Sequence, residues 1–170
     1  MFHSYLDSPI GELLLTGSDA GITGLYLARY LSRPVSSGAR DDAAFADTRH
    51  QLIEYFAGNR VGFDVPLAVA GTDFQRRVWR LFEQIEYGTS RSFGELAREL
   101  GNPRAAQAIG TATGRNPISI LIPCHRVVAA SRAGPGAEPT NKDWLLQHER
   151  AIRARRHIAE AGPISDRRSR

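Results

Sequence analysis

The stretch "SFGELARELGNPRAAQAIGTATG", residues 92–114, decides how the second half of this 170-residue chain folds. It opens on Ser92 with Glu95 three positions later, the register of a capping box. Gly101 closes the first helical run, since glycine readily takes the left-handed conformation that ends a helix. Asn102 then offers a new cap and Pro103 a first helical position, predicting a second helix over about residues 103–113 that stops at Gly114. Two short helices across a tight Gly-Asn turn predict a helix-turn-helix. Ala105, Ala106, Ala108, Gly110 and Ala112 keep the second helix slim enough to approach a partner's backbone closely. Such patterns also arise by chance, so DNA binding needs support from elsewhere in the chain.

Upstream, "DFQRRVWRLFEQI" (73–85) is helical, with Phe74, Val78, Leu81, Phe82 and Ile85 on one face and Arg76, Arg77 and Arg80 largely off it. "VGFDVPLAVAGT" (61–72) is extended and reads as a linker. The first quarter is different in kind. "MFHSYLD", "GELLLTG" and "GITGLYLA" are short apolar runs separated by Ser-Pro, Gly and Asp-Ala-Gly punctuation, the pattern of an antiparallel meander. A helix follows in "AAFADTRHQLIEYFAGN", with Phe45, Leu52, Ile53 and Phe56 at helical spacing and Gly58-Asn59 as its stop. The fold class is therefore an α/β N-terminal domain with a small antiparallel sheet (1–71), plus a mainly helical, winged helix-turn-helix-like C-terminal domain (72–150). A basic tail occupies 151–170, where the last helix is expected to continue and then fray. Trp79 and Trp144 sit among apolar neighbours on helices and are expected in the core.

Composition narrows the class. One cysteine permits no internal disulfide, which suits a reducing compartment. No apolar run approaches the roughly 18–20 residues of a membrane span, and the N-terminus lacks the basic start and apolar stretch of a signal peptide. A cytoplasmic protein without a membrane partner is expected. Residues 1–71 carry five arginines against eight acids, whereas the remainder carries 17 basic against 10 acidic side chains. That imbalance suits an anionic partner for the second half. Much of it, however, lies in residues 150–170, with seven arginines and two acids, so charge favours nucleic acid only mildly.

The single cysteine lies in "ILIPCHRVVA", residues 120–129. "ISILIP" (118–123) reads as a short strand bracketed by Pro117 and Pro123, feeding Cys124 and then His125. Unpaired cysteines are usually small buried hydrophobes. A thiol that attacks carbon needs help, because it is mostly protonated at neutral pH. His125 can give that help, but chain neighbours in an extended segment point to opposite sides, so a water bridge or a sharp turn is required. Glu149, on the last helix, can fix the imidazole tautomer, and Asn116 can brace the corner before the cysteine. The histidines show no metal-ligand spacing with Cys124, and no metal or other cofactor is expected.

The longer segment "GRNPISILIPCHRVV" (114–128) resembles the active-site segment of the O6-alkylguanine-DNA alkyltransferases, whose hallmark is Pro-Cys-His-Arg-Val. "GTDFQRRVWRLFEQIEYGTSRSFGELARELGNPRAAQAIG" is similar to that family's DNA-binding half, "NKDWLLQHE" to its closing helix and "DSPIGELLL" to its N-terminal start. The resemblance covers residues 5–150. It implies a single-turnover DNA repair protein that moves an alkyl group from O6-alkylguanine, with O4-alkylthymine as a further substrate, to Cys124. His125 and Glu149 would draw off the thiol proton, and Asn116 would brace the pocket. Arg126 is expected to hold the two halves together. The resemblance further implies a flipped nucleotide, a monomer acting through the minor groove, and contacts to DNA or base from Phe93, Gly94, Asn102 and Gln107. Val127, Ala130 and Ser131 would complete the base pocket.

Three departures from that pattern stand out. Gln107 replaces an arginine that slides into the base stack, and Phe93 replaces a tyrosine. "ASRAGPGAEPTNK" replaces a glycine-rich lid and lacks its tyrosine while carrying Glu138. The acceptor apparatus is thus complete where the parts that extrude and cover the base are altered, which points to weaker duplex affinity, a roomier pocket, or both. Other readings are a non-enzymatic sensor of alkylated DNA, transfer from a non-DNA substrate or a bulky adduct, and a Cys-His hydrolase. The sensor reading fits poorly with a retained Cys124. The hydrolase would need a direct Cys–His contact that adjacent positions make difficult.

Overall fold

The computed structural model describes residues 1–31, 38–129 and 140–161. The alternating segments form β1 (Phe2–Leu6), β2 (Leu13–Ser18) and β3 (Gly21–Leu27), an antiparallel meander with Tyr5 opposite Leu14 and Leu15 opposite Leu25. The sheet is mixed and not purely antiparallel. β4 (Ala39–Arg40) joins β1 in parallel, giving the order β3-β2-β1-β4. Two residues carry no periodicity from which such a strand can be read. Leu13, Leu14 and Leu15 are all buried, as a continuous apolar run in an interior strand should be.

α1 (Ala46–Phe56) packs through Thr48, Gln51, Leu52 and Tyr55, a face one step away from the expected one, and Ile53 is 54% exposed. Two polar residues disguised the register. Gln51 is buried because its amide clamps Asp64, donating to the carbonyl at 3.1 Å and accepting from the N–H at 2.8 Å. The segment after α1 is not a loose linker either: Ile22 donates to Pro66 and receives from Ala68, so residues 66–68 run beside β3.

α2 (Asp73–Glu83) starts in a Thr72–Gln75 capping box and buries Val78, Trp79 and Phe82, whereas Phe74 is exposed. The Trp79 indole N–H donates to the Ala112 carbonyl at 2.9 Å. That bond fixes α2 on α4 (Ala106–Gly114), the second helix of the expected pair. The first, α3 (Phe93–Glu99), has the reciprocal Ser92–Glu95 box, and Gly101 turns the chain with φ +74°. Pro103–Ala105 form a 3-10 turn that leads into α4. Trp144, expected in the core, is 36% exposed on α5 (Asn141–Ala161), where it stacks on His148 at 5.0 Å. α5 runs unbroken past residue 150.

The expected strand at 118–123 is a tight turn. Ile118 and Ser119 make only isolated bridges, to Leu25 and Ile122, and Ile120 adopts φ +72°. A β-branched residue is strained there, so the surroundings must hold it. Asn116 does so from both sides: its side-chain amide donates to the Ile122 carbonyl at 2.9 Å and its oxygen accepts from the Ile118 N–H at 3.1 Å. From the sheet, Leu25 donates to the Pro117 carbonyl at 2.9 Å. Beyond the cysteine, β6 (Val127–Val128) pairs in parallel with β5 (Arg91–Ser92), tying the chain to the start of α3. Asn116→Ala is expected to cost about 2–3 kcal/mol, because it strips partners from two backbone groups at once. A urea melt checks it, and Asn116→Asp should recover only the Ile118 bond.

Candidate active site

Cys124 begins a 3-10 turn, Cys124–Arg126, whose side chains are all buried. This is the sharp bend that adjacent cysteine and histidine require. Cys124 is 3% exposed and lies, with His125, on the wall of a cavity of about 470 Å³. Leu13, Leu25 and Leu27 of the sheet face Ile120, Leu145 and Lys142 across it.

Behind the turn, Glu149 of α5 is 0% exposed and accepts five hydrogen bonds. Oε1 receives the Tyr55 hydroxyl at 2.8 Å, His125 Nε2 at 2.7 Å and Arg126 Nη2 at 3.0 Å. Oε2 receives the Gly88 N–H at 2.9 Å and Arg126 Nε at 2.9 Å. Arg126 spends its remaining fork on the Ile85 carbonyl at 2.7 Å and lies over the Tyr87 ring. Burial alone would raise the carboxyl's proton affinity. The His125 and Arg126 donors overcome it and hold Glu149 down at about 2.

His125 is pushed the other way by the same surroundings. Burial lowers its proton affinity more than the Glu149 carboxylate raises it, so the ring is neutral at pH 7. With an ionised carboxylate accepting at Nε2, the single ring proton resides there. Nδ1 is then a bare acceptor, buried and without a partner among the described residues. An imidazole so arranged can accept a proton at Nδ1.

Four of the expected site residues therefore converge: Cys124, His125 and Glu149 directly, and Asn116 through the turn it holds. The residues expected to contact DNA lie elsewhere. Phe93 and Gly94 sit half-buried at the start of α3, and Asn102 caps the turn before α4, accepting from the Arg104 N–H at 3.2 Å. Gln107, Ala108 and Thr111 lie on the exposed side of α4, with Arg104 and Arg115 exposed at its two ends. Val127 is buried in β6, while Ala130 and Ser131 lie outside the described residues. Sequence reasoning missed Tyr55 and Gly88. Tyr55 falls three residues after Leu52 and four after Gln51 on the buried face of α1, a spacing that could have revealed it. Gly88 has φ +72° and a built Cβ would stand 3.0 Å from the Glu149 carbonyl, but nothing in "EYGTS" points to a carboxylate. Among the described residues, no group of three or more metal-ligating side chains could hold an ion, and no helix is long and apolar enough to cross a membrane.

Fold and site together define a sheet-containing N-terminal half joined to a helix-turn-helix half that carries a buried Cys124 next to a hydrogen-bonded His125–Glu149 pair. Residues 1–69 match the family model described as 6-O-methylguanine DNA methyltransferase, ribonuclease-like domain, and residues 73–151 match the model of its DNA binding domain. A methylated-DNA–protein-cysteine methyltransferase of Mycolicibacterium paratuberculosis is 45% identical over 148 residues, covering 85% of this chain and 90% of the relative. One from Methanosarcina acetivorans is 40% identical, with 88% and 98% covered. The crystal structure of Mycobacterium tuberculosis O6-methylguanine methyltransferase superposes with a TM-score of 0.81 at 42% identity, covering 89% of this chain and 93% of that one. A structure of Mycobacterium tuberculosis OGT in complex with DNA gives 0.79 at 41% identity, with 89% and 94% covered. The chain belongs to the 6-O-methylguanine DNA methyltransferase family.

The two shifted groups make stability fall with acid. Glu149 titrates at about 2 when folded against an ordinary 4.5, so its contribution is complete above 4.5 and disappears as pH falls toward 2. His125 acts earlier: below its ordinary 6.5 the unfolded chain binds a proton that the buried ring resists. The urea midpoint should therefore drop between pH 7 and 5 and drop further below pH 4.5. A midpoint that rises on acidification to pH 5 contradicts the neutral buried imidazole.

Proposed function

We propose that this protein repairs DNA by transferring the alkyl group of O6-alkylguanine to the sulfur of Cys124, once per molecule. The observation that carries this reading is the buried, unpartnered Nδ1 of His125, on a ring that shares a cavity wall with Cys124 and is held by Glu149. The Cys124 proton passes through a water to Nδ1, and the sulfur attacks the alkyl carbon. An S–C bond forms as the C–O6 bond breaks, and the proton on His125 returns to the departing guanine. The thioether has no route back to a thiol, so turnover stops there. O4-alkylthymine presents the same kind of carbon and falls within the same chemistry.

The O6 atom lies inside duplex DNA, so the nucleotide must leave the stack at a cost of a few kcal/mol. The exposed face of α4, slim and flanked by Arg104 and Arg115, suits a minor groove, and Phe93, Gly94, Asn102 and Gln107 all border that end of the molecule. Val127 would offer its carbonyl to the base, with Ala130 and Ser131 beyond it. We read residues 1–71 and 72–150 as two units followed by a basic tail, acting in the cytoplasm as a monomer and without a cofactor. The largely apolar cavity beside Cys124 favours adducts bulkier than methyl as additional substrates.

Intact-mass measurement after incubation with an O6-methylguanine oligonucleotide should show a gain of about 14 Da, one methylene, mapping to Cys124. Cys124→Ala should show none. Binding without any gain by the wild type overturns the reading in favour of a sensor. Gln107→Arg together with Phe93→Tyr should tighten duplex binding by roughly ten- to a hundred-and-fiftyfold, from about 0.5–2 kcal/mol for the cation and about 1 kcal/mol for the hydroxyl. Titration of fluorescent duplex at fixed salt measures it.

A further inference from the structure

The geometry points to Tyr55 as a positioning residue for the transfer: its hydroxyl sets the acceptor strength of Glu149, and through it the basicity of His125, from the N-terminal half of the chain. The inference rests on the proposed Cys124–His125–Glu149 relay and extends it. Tyr55 is wholly buried on α1, yet its hydroxyl donates to the same Oε1 atom that accepts His125 Nε2. The proximity is held from several directions. Phe56, Phe63, Tyr87 and His148 pack around the Tyr55 ring, and His148 Nε2 donates to the Tyr55 carbonyl at 3.1 Å.

Three donors share Oε1, and each draws density from it. Loss of the phenol leaves a carboxylate oxygen with fewer partners and hence a stronger pull on the Nε2 proton. The imidazolium form of His125 gains, and Nδ1 becomes protonated at a higher pH. Burial, and next the Glu149 charge, push the Tyr55 phenol far above its ordinary range, so it remains a donor at every working pH. The other groups around the carboxylate and the phenol are Arg126, the Gly88 amide, Tyr87 and His148. The Gly88 amide carries no titrating proton, and burial pushes the nearby Tyr87 phenol up to about 12. Lys142 bears on His125 and Arg156 on Tyr87, both from α5, and Arg153 of the same helix engages the Tyr87 carbonyl and Glu86.

The test is the single-turnover rate of methyl loss from an O6-methylguanine oligonucleotide between pH 5 and 8, with the full chain. Wild type should lose rate on the acid side as His125 takes up a proton. Tyr55→Phe should move that limb up by half a pH unit or more, with a plateau within about threefold of wild type. Replacement of Tyr55 by 3-fluorotyrosine, a stronger donor of nearly the same shape, should move the limb down. A purely structural role would lower the rate equally at all pH and would not reverse sign between the two replacements. If Tyr55→Phe does not fold, the fluorotyrosine protein decides alone. A wild-type limb that neither replacement moves overturns the assignment of Tyr55 and leaves the relay standing. Absence of transfer, or of any limb, in the wild type overturns the relay itself and the inference with it.

Discussion

A carboxylate with no access to water persists only where donors replace the solvation it has lost, and Glu149 is in that position. Five hydrogen bonds reach it from α1, from the Gly88 turn and from the turn that holds Cys124. The price of removing an ion of this size from water is several kcal/mol even after relaxation, so an incomplete set of partners would destabilise the whole centre. The complete set makes one atom group the meeting point of both halves of the chain. It also fixes the His125 tautomer, which in turn leaves Nδ1 a bare acceptor.

The cysteine itself is placed by backbone and not by its own contacts. Pro117 hangs on β3, Asn116 bridges both sides of the Ile118–Ile122 turn, and β6 is paired to β5 at the start of α3. The left-handed Ile120 lies at the centre of these restraints. Strain at such a residue is tolerable because each flanking peptide is already tied to something else. Sheet, turn and helix pair are thereby linked in series, with Cys124 at their junction.

Much of this was legible in sequence, and the reasons differ by element. The α3–α4 pair is written in local chemistry: Ser92, Glu95, Gly101, Asn102 and Pro103 each satisfy a need that arises within four residues. The Cys124, His125 and Glu149 set was readable from residue type together with family resemblance, although the turn at 118–123 looked like a strand because its residues are β-branched and apolar. What long-range contacts decide was not readable. The spacing of Ile53 points to the core and that of Tyr55 goes unmarked because Gln51, on the buried face of α1, is polar. Trp144 looked like core, but its ring lies against His148 near the surface. The parallel β1–β4 and β5–β6 ladders are two residues long, too short to leave a pattern.

The pairing of residues 66–68 and of Pro117 with β3 has a consequence for behaviour in a crowded solution. A sheet rim with unpaired amides is a template for strands of other chains. Here one rim of the four-stranded sheet is occupied by the chain's own connecting segments at Ile22 and Leu25, and the opposite rim is the two-residue β4 bearing Arg40. Among the described residues neither side offers a long, flat, apolar border, so the contacts that seat Cys124 also guard the molecule against self-association through its sheet.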